Sequence, residues 1–402
     1  METKKLMLLG GLRYLLPVIE SAHKLGCKVV TIDNVPNNIA HKFSDEFYNI
    51  SILNKEEILK TAQKLRIDGI MSFAVDPGVL TAAYVAEKMN LPFQGSYESV
   101  CILQNKAKFR NFLEENGFNV PKSRDYSNVD DVYNDIDYFN WPIIVKPVDS
   151  AGSKGVTKVD HIDDLREAVE LALNESFIKK CIIEEFIEAE GYSSDSDSFI
   201  VDGKLQFCSF SDQWFDLKAE NPFTPSAYSW PSSMNYENQF ALTKELQRLM
   251  TLLKMRTGIF NIETRFGKNG QLYIMEVSPR GGGNRLAEMV NLVYNQDIIS
   301  QSIKASLGMK IGNLTGSTSQ GYWAIIILHS SQSGYFKEIF IDKQIKGSYI
   351  KQIDMWIAEG DYISSFTGAN KAIGTLILNF DNKDKMSRLI GCQNEWLRII
   401  LK

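Results

Sequence analysis

Glu263, in FNIETRF, and Glu276, in LYIMEVSPRGGG, stand thirteen positions apart, and each is followed closely by an arginine, Arg265 and Arg280. The flanking segments GIFNIETRF and QLYIMEV are rich in β-formers and are separated by Gly267 to Gly270, a tight-turn signal, so they predict one hairpin. Side chains alternate along a strand and opposed residues lie about 5 Å apart, so both carboxylates can share one face. Two acids held that close repel unless a cation joins them. Magnesium does this with one or two protein carboxylates, completing its shell from water and substrate phosphates. The pair therefore has the layout of a magnesium nucleotide site; the same residues also read as two solvated strand acids, each opposite its own arginine.

Two further groups bear on that choice. Lys146 leaves the hydrophobic strand IIVK just before Pro147, where it can meet phosphates, or else snorkel from a strand edge. Ser150, Ala151, Gly152, Ser153, Lys154 and Gly155 then form a short turn of small residues between two strands, a hairpin flap whose backbone N–H groups can close over phosphate oxygens. It lacks the ending of a P-loop. In CIIEEFIEAEG an apolar strand ends in consecutive acids, Glu184 and Glu185, with Glu190 a short step on. Such an end can offer backbone groups to an adenine edge and a carboxylate to ribose hydroxyls; taken alone it reads rather as a charged strand end and a solvated loop.

The elements that must carry these residues are legible in outline. KKLMLLG, CKVVTID and DGIMSFAV read as strands alternating with amphipathic stretches, a βαβαβα unit with a parallel sheet and helices on both faces. Its first turn reads GGLRYL, not GxGxxG, which argues against a dinucleotide site. NKAKFRNFLEENG and DDLREAVELALNES predict helices, the second starting at Asp163 or Asp164; Trp214 to Met234 has no clean period and reads as a long irregular loop with an aromatic wall. LAEMVNLVYNQDIISQSIKASLG predicts a helix. Beyond Gly312, WAIIILHS, KQIDMWIA and AIGTLILNF predict strands before a terminal helix.

The 402 residues suit two or three domains, and the net charge of −5 with no basic run excludes nucleic acid and anionic membrane as expected partners. Five scattered cysteines without a CxxC predict reduced thiols and a cytoplasmic setting. The four histidines lack metal-ligand spacing, and no apolar run approaches a signal peptide or a membrane span.

Taken in order, Lys106 in LQNKAKFR, Lys146 in IIVKP, the loop SAGSKG, the run IIEEFIE, then Glu263 and Glu276 with EVSPRGGG, the chain resembles the ATP-grasp superfamily of carboxylate-amine ligases, including biotin carboxylase-like, L-amino acid ligase-like and phosphoribosylglycinamide synthetase-like members. The resemblance covers essentially the whole chain. It implies an α/β and α+β multidomain protein of ATP-grasp fold: an N-terminal parallel α/β unit over 1–95, the ATP-grasp domain over 96–310 with a mobile lid about 121–190, and a C-terminal α+β unit over 311–402. It implies ATP and Mg2+ as cofactors. Lys106 and Lys146 would contact phosphates under a lid of Ser150, Gly152, Ser153, Lys154 and Gly155. Glu184, Glu185, Phe186 and Ile187 would form the adenine hinge, with Glu184 or Glu190 on the ribose. Glu263 and Glu276 would hold the metal, with Ser278 where many members carry an asparagine ligand. Arg280 and Arg265 would be catalytic, Arg280 steadying the transferring phosphoryl group. Gly281 to Gly283 with Asn284 and Arg285 would receive a substrate carboxylate, since helix N-termini and arginine favour anions.

The implied reaction is ADP-forming: a carboxylate is phosphorylated by ATP to an acyl phosphate, and an amine displaces phosphate to give an amide or peptide. Small-molecule carboxylate and amine substrates are the expected partners, with a homodimer by family analogy. A phosphoribosylglycinamide synthetase-like purine ligase is the alternative within the class, and a catalytically inactive ATP-binding regulatory module the alternative outside it.

Overall fold

The computed structural model of the chain describes residues 3–314 and 318–402. The N-terminal sheet is parallel, with spatial order Glu46–Tyr48, Lys28–Ile32, Lys5–Leu9, Gly69–Ser72. Its three longer strands are largely apolar and buried on both faces, as a parallel sheet between helices requires. Helices Leu16–Lys24, Lys55–Leu65 and Asp76–Met89 cover it. The three-residue strand Glu46–Tyr48 is too short to show a period in sequence.

A second sheet, in the order Ser123–Tyr126, Cys181–Glu185, Ile143–Pro147, Thr157–Val159, carries the flap. Ile143–Pro147 and Thr157–Val159 are antiparallel neighbours, so residues 148–156 close a hairpin, as the sequence predicts. Helix Leu165–Glu175 packs Leu165, Ala168, Val169 and Ala172 on this sheet, the spacing of one helical face.

The third sheet runs Lys204–Cys208, Ser194–Val201, Gly258–Phe266, Leu272–Ser278, and it positions the chemistry. Alternation decides its two faces. Ile200, Phe260, Ile262 and Val277 point to a core shared with Leu242, Leu246 and Leu249 of helix Tyr236–Leu252. Phe199 and Ile259 point the other way, onto Ile298, Ile303 and the N-terminal unit. Two and four residues along, that second face becomes polar: Asp197 stands opposite Asn261, and Asp195 opposite Glu263. One strand face is thus core at one end and cleft at the other.

Three expectations change here. Trp214 to Met234 is not one irregular loop: Asp212–Phe215 and Pro225–Trp230 are strands that join Tyr322–Leu328, Gly374–Phe380 and Ile350–Met355 in a five-stranded sheet. Prolines and aromatics mask the alternation that pairing enforces. The chain after the last helix, Gln393–Trp396, ends in a further strand, Leu397–Leu401, paired with Gly334–Ile341. The predicted helix after Arg285 is two, Leu286–Tyr294 and Ile298–Ser306, broken where Asn295 turns left-handed at φ 54°.

Candidate nucleotide and metal site

Glu263 and Glu276 lie directly opposite each other in register, and the ladder slips immediately after. The slip bulges out Met275, whose carbonyl accepts from Arg110 Nη1 at 2.9 Å. A bulge bends and re-aims its strand, and this one holds Glu276 on the cleft face beside its partner. Both side chains are about a third open, at 30% and 35% exposure, so the pair can be reached from the cleft. Lys106 Nζ stands 3.6 Å from Glu276 and Arg265 Nη2 3.8 Å from Glu263. Burial pushes the Glu263 carboxyl up; Arg265 opposes the rise and the Glu276 charge adds to it. That mutual strain is what a divalent ion relieves, and the donor set, two hard carboxylates open to phosphates and water, fits Mg2+.

Lys106 starts helix Lys106–Glu115, whose N-cap Asn105 accepts from the Lys108 amide. A lysine at the positive end of a helix dipole is unfavourable unless an anion binds there. Its Nζ donates to the Ser150 carbonyl at 2.9 Å, tying the flap base to the cleft. Lys146, also directed at the cleft, pairs with Glu184 at 2.7 Å. Glu184 in turn meets Arg110 Nε at 2.9 Å, and the acid and arginine are almost wholly buried. Burial raises the Glu184 carboxyl, but Arg110 and then Lys146 outweigh it and hold it down to about 2. Of the two acids expected at the ribose, Glu184 is thus walled in between cations, while Glu190 is exposed beyond the hinge.

The hinge is fixed on several sides. Glu185 accepts from the Asn140 backbone and side chain at 2.9 and 2.8 Å, and the Phe186 amide donates to the Pro142 carbonyl at 3.0 Å. Arg265 Nη1 donates to the Ile187 carbonyl at 2.9 Å and its Nε to Ser193 Oγ at 3.0 Å. Arg265 is therefore a bracket between the hinge and Glu263.

Arg280 and Ser278 converge on a residue that sequence reading passed over. Arg280 grips Asp76 with Nε at 2.7 Å and Nη2 at 2.6 Å, and Ser278 Oγ donates to the same carboxylate at 3.0 Å while accepting from Gln104 at 2.8 Å. Ser278 is buried, its hydroxyl committed on both sides, and it stands two strand positions along from the glutamate pair, opposite Asn261. Asp76 opens helix Asp76–Met89 of the N-terminal unit, so only the fold brings it to the loop. Arg285 is also occupied: Glu288 takes Nε and Nη2 at 3.1 and 2.9 Å, Gln352 takes Nη2 at 2.9 Å, and Thr375 faces Nη1 at 3.2 Å. Asn284 bridges Tyr14 at 3.1 Å and Tyr228 at 3.3 Å.

Sequence reading also missed Asp195 and Asp197. Burial, with Glu263 next for Asp195, pushes each carboxyl up to about 7. The alternation Ser194, Asp195, Ser196, Asp197, Ser198 was the available signal, hidden because a strand of serines and acids looks like a loop.

The flap lies against the C-terminal half. Ser153 Oγ donates to the Phe223 carbonyl at 2.9 Å, Asn221 Nδ2 donates to the Ser153 carbonyl at 2.8 Å and to that of Thr367 at 3.2 Å, and the Ala369 amide donates to Gly152 at 3.3 Å. Beside it opens a cleft of about 650 Å³ lined by Lys154, Lys158 and Phe223 among others.

Residues 139–288, the flap, hinge and paired glutamates, match the ATP-grasp domain model. The chain contains an ATP-grasp domain. Formate-dependent phosphoribosylglycinamide formyltransferase of Nitratiruptor sp. is 25% identical over 310 residues, 77% of each chain. L-arginine-specific L-amino acid ligase of Bacillus subtilis is 24% identical over 344 residues, 83% of this chain and 80% of that protein. The crystal structure of L-amino acid ligase from Bacillus licheniformis superposes with a TM-score of 0.83 at 21% identity, covering 100% of both chains. No helix among the described residues is long and apolar enough to cross a membrane.

Proposed function

We propose that this ATP-grasp ligase forms an amide or peptide bond between a small carboxylate and an amine, in the manner of an amino acid ligase. One observation carries the reading: Lys106, Lys146, Glu263, Glu276 and the flap base all face one cleft, and among the described residues no nucleophile such as a Ser/His/Asp set joins them. Such a site works by positioning and charge. The substrate carboxylate oxygen attacks the γ-phosphorus of ATP, the bond to the ADP oxygen breaks, and an acyl phosphate results. The neutral amine nitrogen then attacks the acyl carbon, the C–O bond to phosphate breaks, and the nitrogen gives up a proton to the departing phosphate, leaving the amide. Lys106 and Lys146 hold the phosphates, Arg280 lies next to the reacting centre on the loop after Glu276, and residues 150–155 exclude the water that would hydrolyse the intermediate. Glu263 and Glu276 would hold Mg2+, which when bound offsets phosphate charge. Glu185 to Ile187 supply the adenine edge and Glu190 the ribose contact.

A purine ligase reading has support in the phosphoribosylglycinamide enzyme among the relatives. Against it, both arginines of the SPRGGGNR loop are already paired, Arg280 with Asp76 and Arg285 with Glu288, where a second phosphate would need free cations. We read the organisation as units of 1–95, 96–310 and 311–402, with a strand of the middle unit, Pro225–Trp230, paired into the sheet of the last. A cytoplasmic setting agrees with five free cysteines. The deciding experiment is ADP release with MgATP over a matrix of amino acids and simple carboxylates and amines, with glycine plus phosphoribosylamine as the purine arm. Release that needs both a carboxylate and an amine supports the ligase; no release from any pair, with ATP still bound, ends it.

A further inference from the structure

Asp195 and Asp197 are two carboxylates that nucleotide and metal do not account for. They alternate with serines on strand Ser194–Val201 and so share the cleft face with Asn261 and Glu263. Neither forms an ion pair among the described residues. Arg280 is the cation that acts on both, yet it is already neutralised by its two-pronged pair with Asp76.

Hydrogen-bond accounting shows the same deficit. Asp195 accepts from Asn261 Nδ2 at 2.8 Å and Tyr228 Oη at 3.2 Å; Asp197 Oδ1 accepts from the Gly282 amide at 2.8 Å and Asn261 Nδ2 at 3.2 Å. Asp197 Oδ2 and Gln213 Oε1 are buried and have no hydrogen-bond partner among the described residues. Gln213 stands opposite Tyr228 in register, which places its acceptor at the same wall. The local donors are used up, since Tyr228 donates to Asp195 and Asn284 to Tyr228. Acceptors and negative charge exceed donors, and burying such groups unsatisfied is costly. The missing component is a compact, cationic, donor-rich group. An ammonium head, with three donors, fits.

We propose that Asp195 and Asp197 form the subsite for the cationic amino group of a substrate, so that the amine is an aliphatic ammonium compound of the amino acid kind and not an aromatic amine or an anion. This rests on the ligase reading for the identity of the bound molecule as substrate. Asp195, half-open and opposite Glu263, makes the direct contact next to the phosphoryl end of the cleft; Asp197 behind it supplies the second charge.

The test is a thermal-shift titration of the full chain with Mg2+ and a non-hydrolysable ATP analogue. The probes are L-alaninamide, glycinamide and L-lysinamide, which carry an ammonium without a carboxylate, against N-acetyl-L-alanine, which lacks the ammonium. At least one amide should raise Tm saturably while the acetyl compound does not, and its apparent Kd should weaken at least about 10-fold in Asp195→Asn and in Asp197→Asn. Both changes are near-isosteric, and retained binding of a fluorescent ATP analogue reports that each variant is folded. No binding by any ammonium probe, equal binding to wild type and both variants, or equal binding of the acetyl compound overturns the subsite. ADP release is read separately: a chain that releases no ADP but binds alaninamide through Asp195 keeps the subsite and loses the ligase.

Discussion

Glu184 shows how a single residue can look like a ligand and act as a keystone. Its carboxylate is the shared counter-ion of Arg110 and Lys146, and all three are taken out of water. Removing one partner of such a set leaves buried charge uncompensated, so Glu184→Gln should cost about 3–5 kcal/mol in urea unfolding at pH 7. The pH dependence has a definite sign. The folded carboxyl is held down to about 2 against an ordinary 4.5, so its contribution is fully present above about pH 4.5 and is lost as pH falls toward 2. That window corresponds to about 3 kcal/mol, which wild type should lose and Glu184→Gln should not. Glu276 makes a different claim, because it is open and faces the cleft. Glu276→Ala should abolish ADP release and weaken Mg2+-dependent nucleotide binding while leaving Tm within a degree or two; unchanged turnover would remove it from the metal site.

At the scale of elements, what the sequence makes legible is what local rules govern. The glutamate hairpin, the flap hairpin and helix Lys106–Glu115 follow from turn glycines, an asparagine cap and alternation, and all are found where those signals put them. Asp212–Phe215 and Pro225–Trp230 are not legible, because the first is held by pairing with the second, and the second by pairing with Tyr322–Leu328, almost a hundred positions on. The loop between these two strands carries Asn221, whose side-chain amide spans the Ser153 and Thr367 carbonyls and so fastens the flap to the C-terminal half. Asn221→Ala removes both bonds at about 1 kcal/mol apiece. A fluorescent ATP analogue should then bind roughly 3- to 30-fold more weakly, chiefly through faster dissociation; an unchanged off-rate would show that flap closure does not depend on this fastening.

Over the whole molecule, the N-terminal unit reads as a part of the site and not as an appendage. Asp76 grips Arg280, Tyr14 holds Asn284, and the Ala74 amide donates to the Gly281 carbonyl at 3.0 Å. No local signal in the sequence announces these contacts, since each joins residues about two hundred or more positions apart. The glycines of the SPRGGGNR loop carry the trace of that docking. A side chain at Gly281 would come within 2.3 Å of the Phe73 ring, which lies in the N-terminal core, whereas one at Gly283 would meet none of the described residues within 4 Å. Gly281 is glycine because two units approach there, and Gly283 has no such constraint. Gly281→Ala should therefore force the units apart, costing about 1–3 kcal/mol as an overpacked contact does. It should also lower kcat by loosening the hold of Asp76 on Arg280. Gly283→Ala is the internal control and should leave both stability and turnover near wild type. Equal behaviour of the two alanine variants, in unfolding and in ADP release, would mean that the approach of Phe73 to the loop does not constrain the site.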